Sequence, residues 1–587
     1  MGRKTLLGIT LIIIAIIAGY VLLFWHKRAI TADVLYGNNA LWNRFLEEEG
    51  SVDVPKSTRA VILPHHLITA TELTKFYRGM ANKFQPKTVI LVGPNHYEEG
   101  VSNIQTCNCT YSTIKGELNT NETIFKSAVK NGFVVNNKPF KKEHSMYAHA
   151  PFIKNFFPKA DIVPFILKWK TPDKEVDQLA NFISSLAGKK DVLVIASVDF
   201  SHYIPLLAAD FHDQSSFTAI KNFDQKGIKF IEVDSPASLR LVTRFAEQQS
   251  LMNVSLLNHT NSQDFFRQKK LEITTSHEFI SFSEGEPKKA KQVSMHFFGD
   301  AMFGRGVAEL MTSEDILATL AGQEGRFFIG NDYNILNLEG VLGSRSNAQK
   351  KAVTFQFDPR QTISLLKKYG FNAVNLANNH ILDYFADGDK ETRSNLAKAN
   401  IVSFGGYETG DKACTTTSKN GLKIALCGFN DVGEVLNVES FIKKINNAKK
   451  EHDFVFINAH WGEEYSTVPT LRQKDLAHKF IDTGADLIIG HHPHVVQPME
   501  IYKEKPIFYS LGNFIFDQKS PENVKTGFSV GVVASKEKMI LYIIPLHTNA
   551  GKPIWMNHKE TTAFLNKYLK GFEQYKSDIL GKLEVDK

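Results

Sequence analysis

The chain opens on an unbroken apolar run. Residues 5–25 (TLLGITLIIIAIIAGYVLLFW) carry no charge over 21 positions. A hydrocarbon core of roughly 30 Å needs about 20 helical residues, so the run predicts a membrane-spanning helix. Arg3 and Lys4 precede it and His26, Lys27 and Arg28 follow, which leaves the charge vote on orientation close. No short apolar region with an A-x-A-like cleavage site is evident, so the run reads as an uncleaved signal anchor over 1–28. The expectation is a single-pass protein of the cell membrane with its bulk outside the cytoplasm.

Beyond this the pattern changes to short apolar runs that end abruptly in polar residues. In the second half, 294–298 runs into Gly299-Asp300, 333–338 into Glu339, and 371–377 into Asn378-Asn379-His380. Residues 453–459 run into His460, and 485–489 into Gly490-His491-His492-Pro493-His494. The first half repeats the grammar: 59–63 before His65-His66, 88–92 before Asn95-His96, and 191–197 before Asp199 and His202. Continuous apolar runs are the mark of strands buried on both faces. Alternation with helical stretches at 176–186 and 238–248 predicts two α/β domains.

The layout follows. Residues 29–54 form a membrane-proximal segment, helical around 41–49. The first domain covers 55–283. Residues 284–291 are polar, hold Gly285 and Pro287, and read as a linker. The second domain covers 292–550. A helical tail at 551–587 places Phe564, Leu565, Tyr568, Leu569 and Phe572 at helical spacing and is expected to pack on the second domain.

Composition changes this picture little. A chain of 587 residues exceeds one ordinary core, which agrees with two domains. The net charge of +7 is small for the length. It tolerates an acidic polymer as partner but gives no argument for nucleic acid, and no nucleic-acid motif occurs. The four cysteines, Cys107, Cys109, Cys414 and Cys427, are too few for a disulfide framework. Cys107 and Cys109 stand too close for a comfortable bridge, in a polar stretch that reads as loop.

Chemistry enters at the strand ends, because open parallel sheets place ligands beyond the carboxyl ends of their strands. Two divalent metals about 3.5–4 Å apart can clamp the attacking and leaving oxygens of a hydrolysed ester. Asp300 or Glu339 offers the bridging carboxylate, and Asn379, His460, His492 and His494 offer neutral donors. Such a mixed set suits zinc, iron or manganese. His380 is the natural general acid, with Asp383 to orient it. Arg305 is either a contact for a phosphate or carboxylate substrate or an ordinary ion pair. In the first domain His65, His96 and a carboxylate, Glu143 or Asp199, can assemble an iron site. His144 and His202 either join it or serve as structural histidines.

The second half resembles the CapA branch of the calcineurin-like metallophosphatase fold, in "FGDAMFGRG" (298–306), "NLEG" (337–340), "NLANNHILDY" (375–384), "AHWGEEY" (459–465), "IIGHHPHVVQPMEIY" (488–502) and "IFYSLGNFIFD" (507–517). The resemblance implies metal-ligand positions at Asp300, Glu339, Asn379, His460, His492 and His494 and a catalytic position at His380. One departure stands out: the wider fold begins Asp-x-His, whereas Asp300 is followed by Ala301 and Met302. A thioether is a poor ligand for a hard metal.

The first half resembles the Memo-like family, also called AmmeMemoRadiSam system protein B, in "LPHH", "GPNHY", "EHSMYAHAPF" and "SVDFSHY". That family is related to extradiol dioxygenases, which hold iron through histidine and carboxylate. Its late cysteine has no counterpart, since no cysteine lies between Cys109 and Cys414. Together the resemblances imply a role in synthesis, export or tethering of an anionic cell-surface polymer such as poly-γ-glutamate, through a metal-dependent hydrolase-type site and beside capsule-synthesis membrane proteins. The alternatives are a phosphoesterase acting on a small or lipid-linked phosphate, and a non-catalytic scaffold.

Overall fold

Four parallel strands, Ala60–Leu63, Val192–Ser197, Thr88–Pro94 and Asp161–Leu167, form the middle of the first domain. They belong to a computed structural model that describes residues 28–31, 39–187, 191–266, 272–407, 410, 412–433 and 437–587. The long strand Thr274–Ser283 pairs antiparallel with Ala60–Leu63 on one side and with Asn253–Asn261 on the other. Both faces of the sheet are buried, with Ile62, Ile90, Val163 and Val194 on one and Val61, Val89, Leu91 and Ile195 on the other. That two-sided burial is why these strands read as unbroken apolar runs.

The second domain is a sandwich of two sheets. One orders Val402–Phe404, Phe371–Asn375, Tyr333–Leu338, Gln292–Ala301, Thr526–Ser535, Lys538–Asn549 and Lys552–Trp555. The other orders Cys414–Lys419, Leu422–Asn430, Phe454–His460, Leu487–His491, Lys505–Phe508 and Met499–Tyr502. The core between them joins Phe297 of the first to Phe456 of the second, ring centroids 6.2 Å apart. Helices Val438–Glu451 and Leu471–Thr483 cover the outer face of the second sheet with Phe441 and Phe480. The parallel strands of both sheets thus bring their carboxyl ends to one edge.

The two domains share a core. Helix Leu206–Lys221 of the first domain inserts Leu207, Ala208 and Phe211 among the apolar side chains of the second. Phe211 packs on His296 and Tyr542, and Asp210 accepts a hydrogen bond from Tyr542 and pairs with Lys582. The connection over 284–291 is irregular, and Asn222 bonds both ways to the backbone of Ala290.

Several expectations are corrected here. Among the described residues no helix is long and apolar enough to cross a membrane; the longest, Leu206–Lys221, has 16 residues. The run at 5–25 lies outside the described residues. The spanning helix and the single-pass placement in the cell membrane are therefore withdrawn, and the architecture is a two-domain mixed α/β fold. The cysteines are paired, not free: Cys107 bridges Cys109, and Cys414 bridges Cys427. Cys107 and Cys109 are fully buried at the head of strand Cys109–Thr113, not in a polar loop. Cys414 and Cys427 face each other in register across an antiparallel pair, Cα atoms 4.0 Å apart. The tail forms helix His558–Tyr568, with Phe564 and Leu565 buried. It then adds strand Lys582–Asp586 to the edge of Lys538–Asn549.

Candidate metal centre

Two glycines set the strand ends that carry the site. A Cβ on Gly299 would fall 2.1 Å from the Gly512 carbonyl oxygen, and one on Gly490 would fall 2.0 Å from that of Tyr509. Only glycine allows backbones so close. The residues that follow, Asp300 and His491, are thereby held at the inner edge of both sheets. His492 and His494 adopt φ of +94° and +58°, a region that side-chain-bearing residues rarely occupy. Strain of this kind persists where surrounding structure fixes it, and it concentrates at functional sites.

Asp300 is completely buried and fully bonded. Its Oδ1 accepts from Asn337 at 2.8 Å and lies 3.3 Å from His491 Nδ1. Its Oδ2 accepts the His492 N–H at 3.1 Å and lies 3.2 Å from His494 Nδ1. Glu339 is equally buried but different in kind: among the described residues neither of its carboxylate oxygens has a hydrogen-bond partner. Three imidazoles face its Oε1, with His494 Nε2 at 3.6 Å and His460 Nε2 and His380 Nε2 at 4.0 Å. Ligand atoms of Glu339, His492 and His494 lie within 4.8 Å of one another. Asn379 Oδ1 is 2.9 Å from His460 Nε2. The structure therefore gathers Asp300, Glu339, Asn379, His460, His492 and His494 in one place.

The electrostatics show a cluster short of positive charge. Burial pushes the Glu339 carboxyl well above its ordinary range, against the pull of His494. Burial also opposes a charged His494, yet Glu339 and Asp300 outweigh it and raise its pKa to about 9. Burial and His492 hold His460 well below its usual value, and burial and His494 bring His492 to about 3. His460 and His492 are thus neutral, as a metal requires of its histidines, while His494 carries the proton that an incoming cation would displace. An orphaned buried carboxylate beside them fits a divalent cation.

His380 borders this cluster. Its Nδ1 is 2.7 Å from Asp383 Oδ2, which directs Nε2 toward Glu339. Asp383 also accepts from Lys351 Nζ at 2.8 Å and from the Phe355 N–H at 2.7 Å. Arg305 ion-pairs with Asp517 and lies over the ring of Phe355, which packs on His380. Met302 is buried in the core, where its sulfur accepts from the Gly304 N–H, so it is not turned to a metal.

A cleft of about 750 Å³ in the first domain gathers another set. His65, His96 and His144 place ring nitrogens within 4.8 Å of one another. His65 Nε2 is 3.4 Å from Asp199 and 3.1 Å from Asp234. Glu143 lies behind His96, holding its Nδ1 at 2.7 Å. Its partners Glu143 and Asp234 overcome the burial of His96 and raise its pKa to about 10. His202 lines the same cleft, and its backbone N–H donates to both oxygens of Glu232. Arg326 of the second domain pairs with Glu232 at 2.5 Å and forms part of the cleft wall.

Sequence reasoning missed Asp234, Lys351 and His491 as members of these sites. His491 was visible in the GHHPH run. Asp234 and Lys351 sit in irregular segments with no strand before them, and nothing local marks them.

The comparisons agree with this division. Residues 294–518 match the family Bacterial capsule synthesis protein PGA_cap, of the calcineurin-like metallophosphatase superfold, and residues 35–251 match Memo-like protein. PGA biosynthesis protein CapA of Bacillus subtilis (strain 168) is 38% identical over 244 residues, covering 38% of this chain and 64% of that relative. Capsule biosynthesis protein CapA of Bacillus anthracis is 32% identical over 302 residues, covering 48% of this chain and 72% of its own length. A MEMO1 family protein of Caldivirga maquilingensis is 27% identical over 218 residues, covering 35% and 77%. This chain belongs to the PGA_cap capsule synthesis family through its second domain, joined to a Memo-like first domain.

Proposed function

We propose that the second domain is a metal-dependent hydrolase working in the synthesis or processing of an anionic cell-surface polymer of the poly-γ-glutamate type. The observation that carries this reading is Glu339, a buried carboxylate with no hydrogen-bond partner facing three imidazoles. Glu339, Asn379, His460, His492 and His494 would hold a divalent cation, and this donor set suits manganese, zinc or iron. Asp300 accepts the His492 N–H and stands at ion-pair distance from His491 and His494, which organises all three. When bound, the cation would polarise the scissile group as a Lewis acid.

His380 supplies the proton. Asp383 fixes its Nδ1, so Nε2 is the atom turned to a leaving group, and Lys351 balances the charge of Asp383. A scaffold has no need of an oriented imidazole there, and this pairing favours turnover over mere binding. Arg305, at the rim beside Phe355, is positioned to meet a polymer carboxylate by exchanging its bond to Asp517. The first-domain cleft, with His65, His96, His144, Asp199 and the buried Asp234, whose Oδ1 has no partner, is proposed to hold iron. The names of the two CapA relatives support the polymer class. The test is cleavage of poly-γ-glutamate by the metal-loaded full chain, with phosphoesters assayed in parallel. Turnover of phosphoesters alone would replace the polymer by a phosphate substrate.

A further inference from the structure

A third cluster of ligand-type groups lies outside both sites. It sits where helix Leu206–Lys221 packs over the paired strands Asn253–Asn261 and Thr274–Ser283. His259 and Glu278 are direct cross-strand partners, and Asp213 reaches them from the helix. His259 Nε2 is 2.8 Å from Asp213 Oδ2, and ligand atoms of all three residues lie within 4.8 Å of one another. Ser201 and Ser276 donate to Asp213 Oδ1 at 2.8 and 2.9 Å, which fixes the carboxylate with Oδ2 toward His259.

Glu278 is the telling member. It is 1% exposed, and its Oε2 is buried with no hydrogen-bond partner. Leaving such an oxygen unmatched is costly. The neighbouring carboxylates are matched from the second domain, Asp210 by Tyr542 and Lys582 and Glu232 by Arg326. Asp213 pairs with His259, and among the described residues no hydrogen-bond partner meets Glu278 Oε2. Burial accordingly pushes the Glu278 carboxyl well above its usual range.

We propose that Asp213, His259 and Glu278 form a further metal site for a divalent transition cation, distinct from both clefts. One imidazole and two carboxylates suit zinc or manganese. Donors about 2.0–2.2 Å from a common zinc ion lie no more than about 4.4 Å apart, so the three side chains would close slightly around the ion. His259 has a side chain 28% exposed, which opens a path for the ion. The ion would clasp the strand pair to the helix that carries Asp210 and Phe211 into the second domain, so it would stiffen the domain junction.

The test is equilibrium dialysis of the full chain against Zn²⁺ with metal counted per protein. Glu278→Gln, which keeps the side-chain shape, should bind one equivalent fewer than the parent. Glu339→Gln should lose a different equivalent, so the double variant loses both. His259→Ala should match Glu278→Gln and lose the same share of the zinc-dependent rise in Tm. If Glu278→Gln keeps the parental zinc count, the carboxyl is a buried neutral acid and the site does not exist. Should His259→Ala fail to fold, Glu278→Gln alone decides.

Discussion

The imidazole of His494 stands between two buried carboxylates, with Nδ1 3.2 Å from Asp300 and Nε2 3.6 Å from Glu339. Removing one partner of a buried charge cluster typically costs about 3–5 kcal/mol. His494→Ala should therefore lower stability by that order in the presence of a chelator. Added Mn²⁺ or Zn²⁺ should stabilise the parent more than the variant, since an ion that binds only the folded state stabilises by mass action. Denaturant unfolding with and without chelator checks both; equal metal response in the two proteins would count against the site.

His380 and Asp383 act as a pair. His380→Gln should reduce hydrolysis by about 10²–10⁴-fold while metal content stays unchanged. Asp383→Asn should lose less rate but also loosen the segment around Lys351 and Phe355, both of which bond to Asp383. Steady-state rates beside metal analysis separate the two. A His380→Gln enzyme at full rate would remove His380 from the mechanism.

Arg326 and Glu232 join the domains. Arg326→Ala leaves Glu232 buried without its cation, at a cost of about 3–5 kcal/mol. Glu232→Gln added to Arg326→Ala should recover much of that loss. Unfolding of the two singles and the double gives the coupling directly. Additive losses would mean that the 2.5 Å contact carries no energy.

Burial of His212, on the helix that enters the second domain, predicts an acid-sensitive fold. Burial lowers its pKa from 6.5 to about 3 in the folded protein. Between those values the unfolded chain binds the proton and the folded chain does not, so stability is complete above pH 6.5 and falls as pH drops toward 3. His212→Gln should flatten the fall of Tm with acid over this window. An unchanged profile would show that other groups set it.

Much of this was legible in the chain. The strand Gln292–Ala301 carries Asp300 one residue from its end, and Phe454–His460 and Leu487–His491 end on the residues that their apolar runs point to. These strands are buried on both faces, so polarity first appears where the sheet edge does. The bridge between Cys107 and Cys109 went against the expectation from their spacing, and the one between Cys414 and Cys427 was not foreseen because spacing alone does not reveal a hairpin. Cys414 and Cys427 are 13 apart in sequence and meet only through the register of Cys414–Lys419 on Leu422–Asn430. The bond from Asn337 to Asp300 and the contribution of Asp234 depend on packing between segments, which no local pattern records. The reach of Phe211 into the second domain was hidden for the same reason.

The most direct test of the central claim is metal content of the full chain beside a Glu339→Gln/His492→Ala variant, after equilibration with Mn²⁺, Zn²⁺ and Fe²⁺ in turn. At least one equivalent should be bound by the parent and lost in the variant, with polymer cleavage lost alongside it. Equal metal in both proteins would contradict it, and Glu339 would then be a buried acid with no part in catalysis.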